Sequence, residues 1–251
     1  MILAFLFLFI SSSGLPTTII SPIDGAQMVL VPAGAFRMGS DDFKVEQPIH
    51  ELNLPAYYID KYEVTNALYD QFVKATGYKA NGDWQKYAGA GLENHPVQSL
   101  TYFDCTAYAK WAGKRLPTEA EWEKAARSSK ELRYPWGPAF QPKKCNSIEE
   151  DRKATTVVGF YPEDVSPYGV FDMAGNVTEL TASPFNPYPL DKTVDQSVLP
   201  LDRRDRVMLR GGSYMTESKG CRLTQRGTTK PFSMIYWVGF RCVMDPLPAK
   251  K

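Results

Sequence analysis

Helical periodicity in this chain stops near Tyr134, and the remainder is dominated by proline, glycine and aromatic residues. Before that point the sequence supports three short helices. Thr65 is placed to cap a helix carrying Leu68, Tyr69 and Phe72 at helical spacing, with Gly77 to end it. Thr101 with Asp104 opens a second helix that runs through Tyr108 and Trp111 to Gly113. Thr118 with Glu121 repeats the capping arrangement behind Pro117; this third helix is expected to bury Trp122, Ala125 and Ala126 and to turn Glu119, Glu123 and Lys124 to water. Strands are expected at 27–32, 34–39 and 57–62, then at 207–210 and 238–242 after a polar surface loop from Ala182 to Arg206. Short helices among short strands and long loops define an α+β class in which the loops carry function.

With 13 Phe, 14 Tyr and 5 Trp in 251 residues, the chain can build a sizeable core, and one loop-rich domain is the simplest organisation. The charge balance, 29 basic against 28 acidic side chains, gives no electrostatic reason to bind nucleic acid or an anionic membrane. The apolar run Met1 to Ile10, followed by Ser11-Ser12-Ser13-Gly14, reads as a signal peptide too short to span a bilayer, although no Lys or Arg precedes it. The expected organisation is a signal peptide at 1–14, a linker at 15–27, the domain at 28–245 and a tail at 246–251. The expected location is the cell envelope or periplasm, or outside the cell, with no stable membrane span after cleavage. Cys105, Cys145, Cys221 and Cys242 are too widely spaced for a zinc site, and disulfides or free buried thiols are both open.

Separated stretches then match one pattern in order. They are Val31-Pro32-Ala33-Gly34 with Met38-Gly39, Glu63-Val64-Thr65-Asn66, Asn94-His95-Pro96-Val97, the run from Ala112 to Glu123, Tyr134-Pro135-Trp136-Gly137, the run from Asp172 to Val177, Arg210-Gly211-Gly212-Ser213 and Gly239-Phe240-Arg241. Together they resemble the formylglycine-generating enzyme (sulfatase-modifying factor) family, over nearly the whole mature chain. The resemblance implies that family's variant of the C-type lectin fold, an α+β unit with little regular secondary structure.

In the formylglycine-forming members, two cysteines five residues apart after Gly-Gly-Ser bind copper(I), a soft ion that selects thiolates. Here the second position is Cys221 and the first is Thr216, a hydroxyl that cannot replace a thiolate. Gly220 stands where an aromatic residue is frequent, and Thr178 and Leu180 stand where tryptophans are expected. Copper is therefore not expected. The resemblance places calcium on side-chain oxygens of Asp172 and Glu179 and on carbonyls of Gly175 and Val177, hard donors suited to that ion; the alternative is a metal-free turn. A second calcium site near Asn146 has no assignable ligands. The family's helix-to-strand disulfide suggests Cys105–Cys242 here, leaving Cys145–Cys221 as a further pair.

The favoured expectation is a binding or accessory protein with an unidentified protein or small-molecule ligand. The alternative is an enzyme of altered chemistry, an oxidoreductase or a sulfur- or siderophore-maturation enzyme using Cys221 or Ser213. A serine hydrolase lacks support, because His50 and His95 both read as structural. Arg210, Arg222, Arg226 and Arg241 read as ties between loops rather than an anion site. Tyr214, Phe232, Tyr236 and Trp237 suit either a groove or the core.

Overall fold

The computed structural model describes residues 14–190 and 206–246. The signal-peptide reading over 1–13, residues 191–205 of the expected loop and tail residues 247–251 lie outside the described residues.

All three helices form with the expected caps. Helix α1 (Asn66–Thr76) begins where Thr65 Oγ1 accepts from Leu68 N and ends at left-handed Gly77. Helices α2 (Tyr102–Trp111) and α3 (Glu119–Arg127) each carry a complete capping box, Thr101 with Asp104 and Thr118 with Glu121. Reciprocal bonds satisfy two otherwise orphaned backbone donors at each start.

The strands make three sheets. In the first, β1 (Thr18–Ile20), β2 (Gln27–Val31), β5 (Tyr57–Asp60) and β10 (Val243–Met244) lie in that order, all antiparallel. Ile59 faces Val29 on one side and Val243 on the other, so the two ends of the domain are stitched through one central strand. Strands β3 (Gly34–Met38) and β4 (His50–Leu54) form a hairpin. The third sheet has the order β8 (Gly227–Thr229), β7 (Val207–Arg210), β6 (Thr178–Pro184), β9 (Val238–Phe240), with β6 and β9 parallel. One core cluster packs α1 and α2 on the third sheet, and another packs α3 on the first.

Four expectations are corrected. The stretch read as a linker contains β1, whose pairing with β2 makes it part of the sheet. The loop read from Ala182 begins later, because β6 continues to Pro184. The strand read over 238–242 is interrupted, with Arg241 and Cys242 buried between β9 and β10. Finally, Glu119, Glu123 and Lys124 of α3 do not face water; all are buried. Partners from elsewhere in the fold and from the next turn of α3 satisfy them. Glu119 accepts from Arg226 at 2.7 and 2.9 Å and from Arg210 at 3.1 Å. Glu123 accepts from Arg127 and Gly39 N and also pairs with Arg210, while Lys124 Nζ donates to the carbonyls of Pro32 and Gly34. A charged residue in a short amphipathic helix goes inward when an arginine waits there.

Candidate functional site

Gly211 and Gly212 follow β7 with φ of 92° and 74°, in the left-handed region that favours glycine. A Cβ on Gly212 would lie 2.8 Å from Gly220 O and 3.0 Å from Cys221 Sγ, so the double glycine lets the loop fold back onto Cys221. Ser213 is fully buried beneath this turn, where Thr216 Oγ1 accepts its backbone N–H at 3.0 Å and shares a hydrogen bond with its hydroxyl at 3.0 Å. Ser213 Oγ also accepts from Met215 N. Both hydroxyls are therefore occupied with holding the turn.

Cys221 lies under Thr216. Its thiol donates weakly to Thr216 O at 3.8 Å, the same carbonyl that takes Ile148 N at 3.1 Å. That contact brings the 145–148 segment against the loop, and the Cys145 thiol meets Cys221. Their hydrogen bond, then burial, push the Cys145 thiol far above its usual range. The pair suggested by the resemblance, Cys145 with Cys221, is thus in contact, but as free thiols rather than a disulfide. Cys105 and Cys242 meet in the other core cluster, and all four cysteines are buried free thiols.

Thr216 and Gly220 are sterically coupled. A Cβ on Gly220 would sit 2.2 Å from Thr216 Cγ2, with the next neighbour, Thr216 Cβ, at 3.7 Å. The threonine methyl thus fills the space that a side chain at 220 needs. Above them opens a cleft of about 620 Å³ whose walls include Phe43, Met215, Tyr236 and Trp237. Tyr214 is buried and Phe232 packs on Phe103. The hydrogen bonds of the two histidines lie away from Ser213: His50 bonds Pro48 O and Leu190 N, and His95 bonds Thr155.

The second constellation surrounds the predicted calcium ligands. Asp172 has φ 57° and accepts from Gly159 N at 2.6 Å. Gly175 is held against Asn146, whose carbonyl would be 2.3 Å from an added Cβ, and Val177 N donates to Glu63 at 3.0 Å. Glu179 lies on β6 rather than in the preceding loop, where both its oxygens take Arg241 at 2.7 Å and one also takes Trp122 Nε1 at 2.8 Å. Glu63 and Asp164 complete the group: Glu63 accepts from Asn176, and Asp164 from Met173 N and Ala174 N. All four carboxyl groups are buried and Arg241 is their shared cation. Burial, with repulsion from neighbouring acids, raises Glu63 and Asp164 well above the usual carboxyl range and Asp172 to about 7. Among the described residues no three His, Cys, Asp or Glu side chains form a ready metal shell, and Glu179 would have to share its oxygens with Arg241. With one arginine among four buried carboxyl groups, a hard cation held by carboxylates and carbonyls could take the place of the protons that burial favours there. Glu63 belongs to the Glu63-Val64-Thr65-Asn66 stretch, where nothing local in the sequence points to this role.

The four arginines tie loops together: besides Arg210, Arg226 and Arg241, Arg222 forks onto Glu46 at 2.8 Å through both nitrogens.

Residues 18–246 match the sulfatase-modifying factor enzyme 1-like domain. The formylglycine-generating enzyme of Mus musculus is 31% identical, over 90% of this chain and 77% of the enzyme. Hercynine oxygenase of Mycolicibacterium smegmatis is 30% identical, over 93% of this chain and 64% of that protein. Among solved structures, PvdO from Pseudomonas aeruginosa superposes with a TM-score of 0.77 at 26% identity, over 92% of this chain and 98% of PvdO. The chain therefore belongs to the sulfatase-modifying factor family and has its formylglycine-generating-enzyme-like form of the C-type lectin fold.

Proposed function

We propose that this protein is an exported family member without copper-dependent formylglycine formation, acting as a binding or accessory protein. The observation that carries this reading is Thr216. A hard hydroxyl stands where a soft thiolate is required, and it is already bonded to Ser213. The residues present do not fit a two-thiolate copper(I) site at positions 216 and 221. With copper(I), a reductant and a peptide carrying a sulfatase-type cysteine, the expected result is no peptide-dependent oxygen uptake and no aldehyde product. Turnover of that peptide overturns the reading.

A second reading, an enzyme of altered chemistry, draws on the aromatic-walled cleft over Thr216 and on similarity to hercynine oxygenase and PvdO. It needs a reachable Cys221 thiol or Ser213 hydroxyl, and both groups are buried. On the first reading Cys221 is a packing residue that can pair with Cys145 under oxidising conditions. Native protein treated with iodoacetamide should leave Cys221 unlabelled, and peptide mapping after non-reducing digestion should return it bridged to Cys145 or, from reduced protein, free. Rapid labelling of Cys221 in the folded state favours the enzyme.

Calcium belongs to the same proposal, held by Asp172 and Glu179 side chains with carbonyl oxygens of Gly175 and Val177. The excess of buried carboxyl groups over Arg241 supports it, since calcium would replace the protons that burial favours on them. At a hundredfold excess over its dissociation constant, calcium would add about 2.7 kcal/mol, or roughly 5–10 °C in the unfolding midpoint for a domain of this size. The shift should vanish in EGTA and in Asp172→Ala. An unchanged midpoint at millimolar calcium removes the ion from the proposal.

A further inference from the structure

Residues 78–82 follow the C-cap of α1 and lie along the start of α2, where one carboxyl group holds them. Asp104 Oδ1 accepts from the Tyr78 hydroxyl at 3.0 Å, from Asn81 N at 2.9 Å and from Asn81 Nδ2 at 3.3 Å. Its Oδ2 accepts from Gly82 N at 3.0 Å and, within the capping box, from Thr101 N at 2.9 Å and Thr101 Oγ1 at 2.7 Å. Asp104 and Gly82 are buried, whereas Asn81 is exposed to water.

Asn81-Gly82 is the one Asn-Gly step in the chain. Glycine leaves an asparagine open to attack by the next backbone nitrogen, because no Cβ stands in the way. Here packing requires the glycine: a Cβ at 82 would lie 2.1 Å from Ser99 O and 2.8 Å from Leu100 Cα. The reactive pair is therefore built into the fold, and Asp104 guards it. Attack needs the Gly82 nitrogen to lose its proton and to turn towards Asn81 Cγ. The hydrogen bond to Asp104 opposes both, since it holds the nitrogen facing the carboxyl group and an amide anion beside a carboxylate is repelled.

We propose that Asn81 is a site of self-modification that Asp104 keeps inert, deamidating to aspartate or isoaspartate only when residues 78–82 lift off α2. On lifting, Gly82 N bonds to Asn81 Cγ, the Cγ–Nδ2 bond breaks, and ammonia leaves with the proton of the Gly82 amide. Water then opens the resulting succinimide at either carbonyl. Neither product refits the turn. Aspartate puts a second carboxylate where Asn81 Nδ2 donated to Asp104, and isoaspartate adds a backbone carbon where residue 82 is already pressed against Ser99 and Leu100. Each opening that reacts is thus recorded permanently beside the capping box of α2. No residue is shared with the copper or calcium readings.

The test follows Asn81 in the full chain, folded and in guanidinium chloride, in mildly alkaline buffer. Peptide mass reads the loss of the amide, and an isoaspartate-specific methyltransferase identifies that product. Asn81 should convert at least about tenfold faster in denaturant than in the folded protein. Hydrogen exchange at the Gly82 amide supplies a second measurement. Its protection in the folded state should match the slowing of deamidation to within about threefold, because both need the same opening. Converted protein, and the Asn81→Asp variant, should unfold at lower denaturant than the unmodified chain. Equal conversion rates in the folded and denatured chain, an amide that survives denaturant, Gly82 protection out of step with the slowing, or converted protein as stable as the original each overturns the proposal.

Discussion

Replacing Arg241 by methionine is expected to cost about 3–5 kcal/mol, the range for removing one partner of a buried ion pair. Arg241 is fully buried and binds both oxygens of Glu179, as well as the carbonyls of Phe171 and Asp60. It also lowers the proton affinity of Glu63, Asp164 and Asp172. Its loss leaves four buried carboxyl groups without their shared counter-ion. The sign with pH follows. Asp172 is raised to about 7 chiefly by burial, so the folded state holds a proton that the unfolded chain releases near its ordinary value. Stability therefore falls as pH rises from about 4 to 7, and the variant should extend that decline above pH 7. Urea unfolding between pH 5 and 8 in EGTA measures both effects. Adding Glu179→Gln should recover part of the loss, since glutamine still accepts from Trp122 and carries no charge. An Arg241→Met protein as stable as wild type would mean that these carboxyl groups are neutral or otherwise compensated.

The parts of the fold that depend on neighbouring residues were legible. Thr65, Thr101 and Thr118 cap their helices because the bonded amide lies three residues away. The inward turn of Glu119 and Glu123 was not legible, because their arginine partners arrive largely from β7 and the loop beyond it, about ninety residues later in the Arg210–Glu119 case. The same holds at the candidate site. The turn at Gly211-Gly212-Ser213 could be read directly, whereas the approach of Cys145 to Cys221 was legible only through the family resemblance, because the irregular segment around Cys145 carries no periodicity. Asp172 and Glu179 were identified as a pair, but Arg241, Glu63 and Asp164, which determine its charge, come from other parts of the chain. Charge pairing across long sequence distances, rather than hydrophobic patterning, is what the sequence concealed.

Gly220→Ala is expected to cost about 1–3 kcal/mol, the range for forcing atoms into filled space. The backbone does not require glycine there, because Gly220 is absent from the glycines with left-handed φ among the described residues. The clash has a single source: the new Cβ would meet Thr216 Cγ2 at 2.2 Å, and no other atom comes closer than Thr216 Cβ at 3.7 Å. Thr216→Ser removes that methyl and keeps the hydroxyl bonded to Ser213 N and Ser213 Oγ, so alone it should cost about 1 kcal/mol or less. Combined with Gly220→Ala it should return the protein close to Thr216→Ser alone, a favourable coupling of about 1 kcal/mol or more in a double-mutant cycle. That result would make the two departures at this pocket one event. A β-branched residue at 216 excludes a side chain at 220, so Thr216 by itself leaves no room for an aromatic residue at the neighbouring position. Strictly additive costs would separate them, leaving Thr216 and Gly220 as independent features of this packing.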